Sequence, residues 1–375
     1  MQLAALVNSA LDAPESGNIM RHELGPGRNK FPFSKAAETL CFKLLTMKLV
    51  FIGIGDRGRG WLRRVGDRTD IEPVGVVDPS EVALQAVAEE FADLNLPAFS
   101  TVEEAAAVIE ADAAIIAASS WTRRENGLAA LEAGWHILVE KPFALNFDDA
   151  RAVVDAGKKK GLAVSVGQNY RFHAGLGDMQ KLVAEGEIGA LGHGVFVRHH
   201  KRYAGQTYQK TMRHNYLWEM GVHDLDMIRF TLGLKPLRVS GYSFLPPWGD
   251  FEGETTVSAL FEFENDIKVS YFGAWASHIP EYLWRVDGSG GSLRLSNRLE
   301  RGHPDDGEWH FVDPLGEFPG DYALLDELIA VMGTGGQTST SGEDNLWTVG
   351  MMEAIVRSTE AGGAQVDIAA LVEGE

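Results

Sequence analysis

Residues 48–58 read KLVFIGIGDRG, an apolar run typical of a strand that leads into a glycine-rich turn and a helical segment. A second apolar run, residues 74–77, ends in Asp78, about 20 residues beyond the turn. Strand, GxGxxG turn, helix, strand and closing acid, in this order, form the fingerprint of a dinucleotide-binding βαβ unit. The stretch therefore predicts a Rossmann sheet, and a purely structural glycine turn is the alternative.

The three glycines and the acid have separate physical roles in such a unit. Gly53 permits the tight turn, Gly55 lets the main chain approach a pyrophosphate, and Gly58 allows the helix to pack closely on the strand. The free N–H groups and the dipole at the start of that helix favour phosphates. Asp78 can accept hydrogen bonds from a ribose diol and would repel a 2′-phosphate, so we predict NAD as the cofactor over NADP.

The bulk composition excludes several classes of protein. The chain has 375 residues, a formal net charge of −19 and a single cysteine, Cys41. The negative charge argues against nucleic acid or an anionic membrane as a partner, because both bind basic surfaces. One cysteine excludes an intrachain disulfide framework, and no apolar run approaches the ~20 residues of a membrane span. We expect a cytoplasmic protein with two domains.

The sequence pattern divides the chain into three segments. Residues 1–46 show little periodicity, and we expect a poorly ordered extension, with a start at Met47 as a hypothesis and a helical arm at residues 34–45 as the alternative. Residues 47–167 alternate short strands with helices, which predicts a Rossmann domain with a doubly wound, six-stranded parallel sheet. Residues 168–375 carry longer alternating strands, which predict a substrate and oligomerisation domain of the α/β class with an open, largely antiparallel sheet.

The long strands of the third segment predict a sheet with one uncovered face. Residues 256–263 and 267–274 alternate around a short turn and are typical of a hairpin. We expect helices on one side of this sheet, and Leu260, Phe272 and Trp275 on the other side. Exposed apolar side chains on a sheet face predict a subunit contact, and hence a homodimer or homotetramer.

Two short motifs carry the residue types of proton transfer. Lys141 follows the fifth strand within a Glu-Lys-Pro run, at the edge where an open α/β sheet holds its ligand. Glu219 precedes His223 by four residues on a predicted helix, so its carboxylate would support a proton on the imidazole. Asp226, about one turn further on, could orient the same ring. The alternatives are a solvated lysine and an exposed pair without function.

These motifs, together with the Asn-Tyr-Arg-Phe run at residues 169–172 and the Ser-Gly-Glu-Asp run at residues 341–344, resemble the glucose–fructose oxidoreductase, inositol dehydrogenase and rhizopine-catabolism family (Gfo/Idh/MocA). The resemblance covers nearly all of the chain after the extension. It implies a Rossmann domain, an α/β domain whose open sheet builds oligomers, and NAD(P)-dependent chemistry on sugars and polyols. It also implies that Lys141 acts at the reacting hydroxyl, that His223 accepts the proton, and that Glu219 is the partner of His223.

Several positions depart from the family pattern. Glu219 replaces the usual aspartate and is one methylene longer, and residues 213–215 read Arg-His-Asn where small residues are common. Arg123 stands where members often have histidine, and Ser119 stands where they often have proline. The loop at residues 119–121 should line the nicotinamide end. We expect Trp121 and Arg123 to reshape the pocket, with exposure to solvent as the alternative.

The predicted site combines these positions. The predicted cofactor contacts are Gly53, Gly55, Asp56, Arg57, Gly58, Asp78, Ser119, Ser120, Trp121, Glu140 and Lys141. The predicted substrate contacts are Arg171, His173, Tyr203 and Asp226. Basic residues near position 200 suit a hydroxyl-rich or acidic substrate. Since His199 and His200 lack further ligands at a convincing spacing, we predict no metal site.

The sequence therefore predicts an NAD-dependent oxidoreductase that transfers hydride between nicotinamide and a secondary hydroxyl or carbonyl of a sugar, polyol or glycoside. An alcohol, with a pKa of roughly 16 like water, needs a base near neutral pKa, while an ammonium stabilises the developing alkoxide. Two alternatives remain open. One is an NAD-dependent glycoside hydrolase or lyase that acts by transient oxidation, and the other is an NAD-binding regulator without turnover.

Overall fold

A computed structural model of the protein describes residues 46–203, 208–316, 319–332 and 334–374. The predicted extension, apart from residue 46, lies outside these ranges. No helix in the described ranges has both the length and the apolar character that a membrane crossing requires.

The predicted doubly wound sheet is confirmed, with six parallel strands in the order β3-β2-β1-β4-β5-β6. Its strands are β1 (Met47–Ile52), β2 (Ile71–Val77), β3 (Ala98–Phe99), β4 (Ala113–Ile116), β5 (His136–Val139) and β6 (Val164–Val166). The helices between them are α1 (Asp56–Val65), α2 (Glu81–Glu90), α3 (Val102–Ala106), α4 (Arg123–Glu132) and α5 (Phe147–Lys160). Because β1 is central and almost wholly buried, every residue of it except Lys48 is apolar. The strand order reverses between β1 and β4, and such sheets bind ligands at the carboxyl ends of these strands.

A second sheet of nine strands has the order β14-β13-β12-β11-β7-β10-β9-β8-β15. Its strands are β7 (Leu191–Lys201), β8 (Pro236–Phe244), β9 (Thr256–Phe263), β10 (Lys268–Ala274), β11 (Ala276–Gly288), β12 (Gly291–Leu295), β13 (Leu299–Gly302), β14 (Trp309–Phe311) and β15 (Val366–Asp367). Among the described strands of this second sheet only β10 and β7 pair in parallel, and β9 and β10 form the predicted hairpin. The remaining helices are α6 (Leu176–Ala184), α7 (Val222–Leu232), α8 (Tyr322–Met332), α9 (Gly342–Glu360) and α10 (Ile368–Glu373).

One prediction about the faces of the second sheet is wrong. Leu260 is 51% exposed and Phe272 is half-buried, as expected for the uncovered face. Trp275 is only 1% exposed and packs instead against Tyr216 and Phe251. Because Trp275 lies three residues after Phe272, the alternation of side chains along a strand directs it to the opposite, covered face.

A helix from late in the chain completes the core of the first sheet. Leu324, Leu325 and Leu328 of α8 are fully buried in one apolar cluster with Leu49 and Trp61. The chain therefore returns to the first sheet after it has built the second one. This return brings the segment before α8 close to the start of α1.

Candidate active site

The glycine turn after β1 is formed by main-chain contacts that admit no side chain. Gly53 has a φ of +81°, and a Cβ there would lie 2.3 Å from Cα of Ala118. A Cβ on Gly58 would lie 2.0 Å from the carbonyl oxygen of Gly53. A Cβ on Gly55, in contrast, would meet no described atom within 4 Å. Two glycines thus allow the close packing of the turn, and the third leaves open the side from which a ligand approaches.

Asp78 joins the glycine turn to the end of β2. Its Oδ2 accepts a hydrogen bond from the main-chain N–H of Ile54, and its Oδ1 accepts one from that of Ser80, both at 2.9 Å. The carboxylate oxygens keep lone pairs for further donors, because each oxygen can accept more than one hydrogen bond. Asp78 is therefore held at the crevice in a position suited to a ribose diol.

A cavity of about 600 Å³ opens at the carboxyl ends of β1, β2 and β4. Four predicted cofactor residues line it, namely Gly53, Asp78, Ser119 and Trp121. The other lining residues were not predicted, and six of them are Pro79, Ser100, Thr101, Thr122, Glu125 and Asn126. These six follow the carboxyl ends of β2, β3 and β4, and that position is the signal that could have identified them.

The groups in the glycine turn and in the loop after β4 fit an adenine dinucleotide. Gly55 leaves room for a pyrophosphate, and the first turn of α1 carries no side-chain cap at that position. Ser120 is 8% exposed, and its Oγ has no hydrogen-bond partner among the described residues. A buried hydroxyl without a partner is unfavourable, and a hydrogen-bonding ligand would relieve it. Asp56, also predicted as a contact, has an exposed side chain that pairs with Arg59.

Arg57 and Glu140, predicted as cofactor contacts, are joined to each other. The Oε1 of buried Glu140 accepts hydrogen bonds from Nε of Arg57 and from Nε1 of Trp61, the latter at 2.7 Å. Arg57 also reaches Asp321, which precedes α8, at 3.4 Å. These bonds hold the start of α1 against the loop that carries Lys141. The contact of Arg57 and Glu140 with a cofactor stays a prediction.

Lys141 and Glu219 meet although 78 positions separate them in the sequence. Nζ of Lys141 donates to the main-chain oxygen of Glu219 at 2.9 Å and lies 3.9 Å from Oε2 of its carboxylate. Burial lowers the pKa of Lys141, and the negative charges of Glu219 and Glu140 oppose this effect. Lys141 is therefore a partly buried group beside a carboxylate, in contrast to the solvated lysine of the alternative interpretation.

The helix that was expected to pair Glu219 with His223 begins with a wide turn. Leu217–Gly221 form a π-helical turn before α7 starts at Val222. The extra residue in that turn changes the angle between positions 219 and 223 around the helix axis. The carboxylate of Glu219 accepts from the hydroxyl of Tyr208 at 2.8 Å. The predicted pair is wrong, since buried Nδ1 of His223 has no hydrogen-bond partner in the described parts of the chain.

An aromatic ring orients His223 in place of a carboxylate. The buried imidazole stacks on Tyr170, with ring centroids 4.1 Å apart. Burial lowers the pKa of His223 well below its ordinary value, and the positive charges of Lys141 and Arg198 lower it further. The imidazole is thus neutral near pH 7 and able to accept a proton. Tyr170 was not predicted, although its place in the Asn-Tyr-Arg-Phe run was an available signal.

Two of the four predicted substrate residues are paired with each other. Nε of Arg171 donates to Oδ2 of Asp226 at 2.7 Å, and both side chains are almost fully buried. Arg171 also pairs with Asp344, which in turn pairs with Arg229 at 2.8 Å. This network ties residues 169–172 to α7 and α9. Because Arg171 and Asp226 bind each other, neither side chain is free to face a substrate. Asp226 was expected to orient the imidazole of His223, and it binds Arg171 instead.

The other predicted pocket residues differ in their surroundings. The ring centroid of His173 lies 4.7 Å from that of Tyr170, so His173 borders the imidazole stack. Tyr203 is largely exposed, and Trp121 is 57% exposed although it lines the dinucleotide cavity. Arg123 is buried, at 8% exposure. Exposure to solvent was the alternative for both Trp121 and Arg123, and it applies to Trp121 alone.

Comparison with known protein families agrees with this geometry. Residues 47–168 match a model described as an oxidoreductase family with an NAD-binding Rossmann fold. Residues 177–294 match the model of the Gfo/Idh/MocA C-terminal domain. The two matched ranges together span well over half of the chain.

Individual proteins of this type are similar along most of the chain. The 1,5-anhydro-D-fructose reductase of Ensifer adhaerens is 27% identical over 276 residues, which are 71% of this chain and 82% of that protein. The D-apiose dehydrogenase of Paraburkholderia graminis is 28% identical over 338 residues, which are 84% of this chain and 88% of that protein. The crystal structure of an oxidoreductase from Agrobacterium radiobacter in complex with NAD+, L-tartaric acid and magnesium shares the fold, with a TM-score of 0.77 and 24% identity over 87% of this chain and 99% of that one. The chain therefore belongs to the Gfo/Idh/MocA family of oxidoreductases, which combine an NAD-binding Rossmann fold with a second, sheet-based domain.

Proposed function

We propose that the protein is an NAD-dependent dehydrogenase that transfers hydride between nicotinamide and a secondary hydroxyl or carbonyl of a sugar, polyol or glycoside. One arrangement carries the proposal: the imidazole of His223 is buried and stacked on Tyr170, and it lies near enough to Lys141 for the lysine charge to lower its pKa. Alcohol oxidation requires a base and a positive charge at one oxygen, and these two groups supply them. The names of the two relatives, a reductase and a dehydrogenase of sugars, support the substrate class.

The roles of the side chains follow from their states in the structure. When bound, NAD supplies the hydride acceptor, and the glycine turn, Asp78 and residues 119–121 would hold it. His223 takes the hydroxyl proton, because burial keeps its imidazole uncharged near pH 7. Lys141 donates a hydrogen bond to the same oxygen and stabilises the negative charge that develops there. In the reverse direction His223 returns the proton.

Glu219 serves Lys141 in this proposal. Its main-chain oxygen accepts from Nζ of Lys141, and its carboxylate is held at 3.9 Å from that Nζ by the hydroxyl of Tyr208. The negative charge opposes the effect of burial on the pKa of Lys141 and so favours the ammonium form. The side chain of Glu219 is one methylene longer than the usual aspartate, and its carboxylate lies near Lys141 and Tyr208.

NADH fluorescence with a panel of sugars, polyols and aryl glycosides tests the proposal. We expect net NADH from NAD with at least one sugar or polyol. His223→Ala should abolish this signal and retain NAD binding by calorimetry, while His193→Ala, an exposed histidine of β7, should match the wild type. Release of an aglycone without net NADH would replace the proposal with the hydrolase or lyase. Binding of NAD with neither reaction would replace it with the regulator.

We also propose that the chain forms a homodimer or homotetramer through the uncovered face of the second sheet. Tyr242, Phe244 and Leu260 are exposed on this face, and clustered apolar side chains on a surface are typical of an interface. Light scattering should give two or four chain masses, and Leu260→Lys should lower that number. A wild type that stays a monomer at working concentration would contradict the proposal.

The single cysteine supports a reducing cytoplasm as the location, which fractionation of the native host would test.

A further inference from the structure

Arg123 is a buried arginine at the start of α4 that contacts the ends of two strands. Its Nε donates to the carbonyl oxygen of Ala118 at 3.0 Å, and its Nη1 donates to the carbonyl oxygen of Pro142. Ala118 lines the dinucleotide cavity, and Pro142 is the neighbour of Lys141 in the chain. The guanidinium therefore lies between the cofactor cavity and the loop of Lys141.

Arg123 differs from the equally buried Arg171 and Arg198 in having no acidic partner. Arg171 pairs with Asp226, and Arg198 pairs with Asp224, each at 2.5 Å. Both hydrogen bonds of Arg123 go to neutral carbonyl oxygens, and no ion pair joins it to a residue that the structure describes. A buried charge without a counter-charge is unfavourable. In keeping with this, burial lowers the pKa of Arg123.

The charges around Lys141 leave one positive charge in excess. Arg57 pairs with Glu140 and with Asp321, and Asp321 also pairs with Arg64, so these two cations and two carboxylates balance each other. Glu219 lies 3.9 Å from Lys141, and the negative charges of Glu140 and Glu219 both act on Arg123 without forming an ion pair with it. Four cations, namely Arg57, Arg64, Arg123 and Lys141, thus face three carboxylates, namely Glu140, Glu219 and Asp321. A singly charged anion bound at this point would balance the site.

We propose that Arg123 binds the carboxylate of an acidic sugar, a uronic or aldonic acid, whose hydroxyl lies at Lys141 and His223. This inference rests on the proposed dehydrogenase function and narrows its substrate class. The two carbonyl contacts of Arg123 use Nε and Nη1, which leaves the hydrogens of Nη2 for a ligand. A planar guanidinium suits a carboxylate, and a carboxylate fits a single excess charge better than a phosphate monoester of about −1.5 to −2.

Matched substrate pairs, assayed on the full chain at saturating NAD, test the inference. The pairs are D-glucuronate with D-glucose, D-galacturonate with D-galactose, and D-gluconate with D-sorbitol. For at least one pair we expect the acid to exceed its neutral partner in kcat/KM by about tenfold or more, the scale of a charge-assisted hydrogen bond. Arg123→His, which installs the residue common in the family, should reduce that ratio to near unity, with the neutral sugar as the internal reference.

Arg124→Gln is the matched control, because Arg124 is the next residue of α4 and its exposed side chain pairs with Asp149 at 3.1 Å. This variant should keep the ratio of the wild type. Arg123→Lys keeps a positive charge without the planar fork and should retain part of the ratio. If melting curves show that Arg123→His does not fold, Arg123→Lys provides the test in its place.

The outcomes separate this inference from the function on which it rests. If neutral sugars yield NADH and no acid is preferred, the inference is overturned and the dehydrogenase proposal stands. If neither class yields NADH, both are overturned. A preference for glucose 6-phosphate over all three acids would overturn the assignment to a carboxylate.

Discussion

The imidazole of His223 lies flat on the phenol ring of Tyr170, with ring centroids 4.1 Å apart and ring planes 8° apart. This stack takes the place of the carboxylate that was expected to orient the base, because Glu219 accepts from Tyr208. The guanidinium of Arg198 lies 6.0 Å from the centre of the same phenol ring, and its charge contributes to the low pKa of His223. Ring packing and nearby cations thus keep the base oriented and neutral.

Substitution of Tyr170 tests whether stacking orients the base. Tyr170→Phe keeps the ring, so kcat/KM should stay close to that of the wild type. Tyr170→Leu removes a ring contact of about 0.5–1.5 kcal/mol, and the freer imidazole should lower kcat/KM by up to about tenfold. Initial rates followed by NADH fluorescence measure both effects. Equal rates for Tyr170→Leu and the wild type would show that the stack has no part in catalysis.

The lowered pKa of His223 determines the acid side of the pH profile. Alcohol oxidation requires the neutral imidazole, so activity is lost only as the pH falls through a pKa well below the ordinary 6.5. We therefore expect kcat/KM for oxidation to remain level from neutral pH down to 6.5. Buffers of constant ionic strength and a stopped assay give the profile. An acid limb centred at 6.5 or above would contradict a buried, neutral base.

Lys141→Ala should lower turnover by at least about 100-fold, because the ammonium stabilises charge on the reacting oxygen. NAD binding by calorimetry should remain nearly intact, since the cavity that fits the cofactor lies at β1, β2 and β4. Lys158→Ala is the control, because Lys158 is an exposed residue of α5 that pairs with Glu343 at 3.0 Å. Near-normal turnover in Lys141→Ala would show that Lys141 does not stabilise charge on the reacting oxygen.

Asp78→Asn should weaken the preference for NAD over NADP by about tenfold or more, because the amide no longer repels a 2′-phosphate. The amide oxygen can still accept the hydrogen bond from Ile54, so the glycine turn should persist. Asp78→Ala is the less selective variant, since it also removes the bonds from Ile54 and Ser80. The ratio of kcat/KM for the two cofactors measures the effect. An unchanged ratio would place the ribose contact elsewhere.

Arg171→Met should lower the free energy of unfolding by about 3–5 kcal/mol, because it leaves Asp226 buried without its partner. Urea denaturation followed by fluorescence measures this loss. Arg357→Gln is the comparison, since it removes an exposed pair with Glu353 and should change stability little. The KM of the folded Arg171→Met enzyme should match the wild type. A large rise in KM without loss of stability would show that Arg171 contacts the substrate, as the sequence predicted.

Local sequence made the glycine turn and its link to Asp78 predictable. Gly53, Gly58 and Asp78 belong to one βαβ unit, and their roles follow from main-chain geometry within that unit. The parallel sheet was predictable from the period of its apolar residues. Lys141 was predictable because it follows a strand of that sheet, and carboxyl ends of parallel strands meet at one edge.

The tertiary structure alone decided which side chains are partners. Glu219 meets Lys141 from 78 positions away, and Arg171 meets Asp226 from 55 positions away. The side chains of Glu219 and His223 do not pair, although a spacing of four residues suits a regular helix, because a π-helical turn lies between them. Spacing along a chain predicts neighbours only within one regular element. Partners on different elements depend on how the two sheets and their helices pack, and that packing is what left the guanidinium of Arg123 buried without an acid.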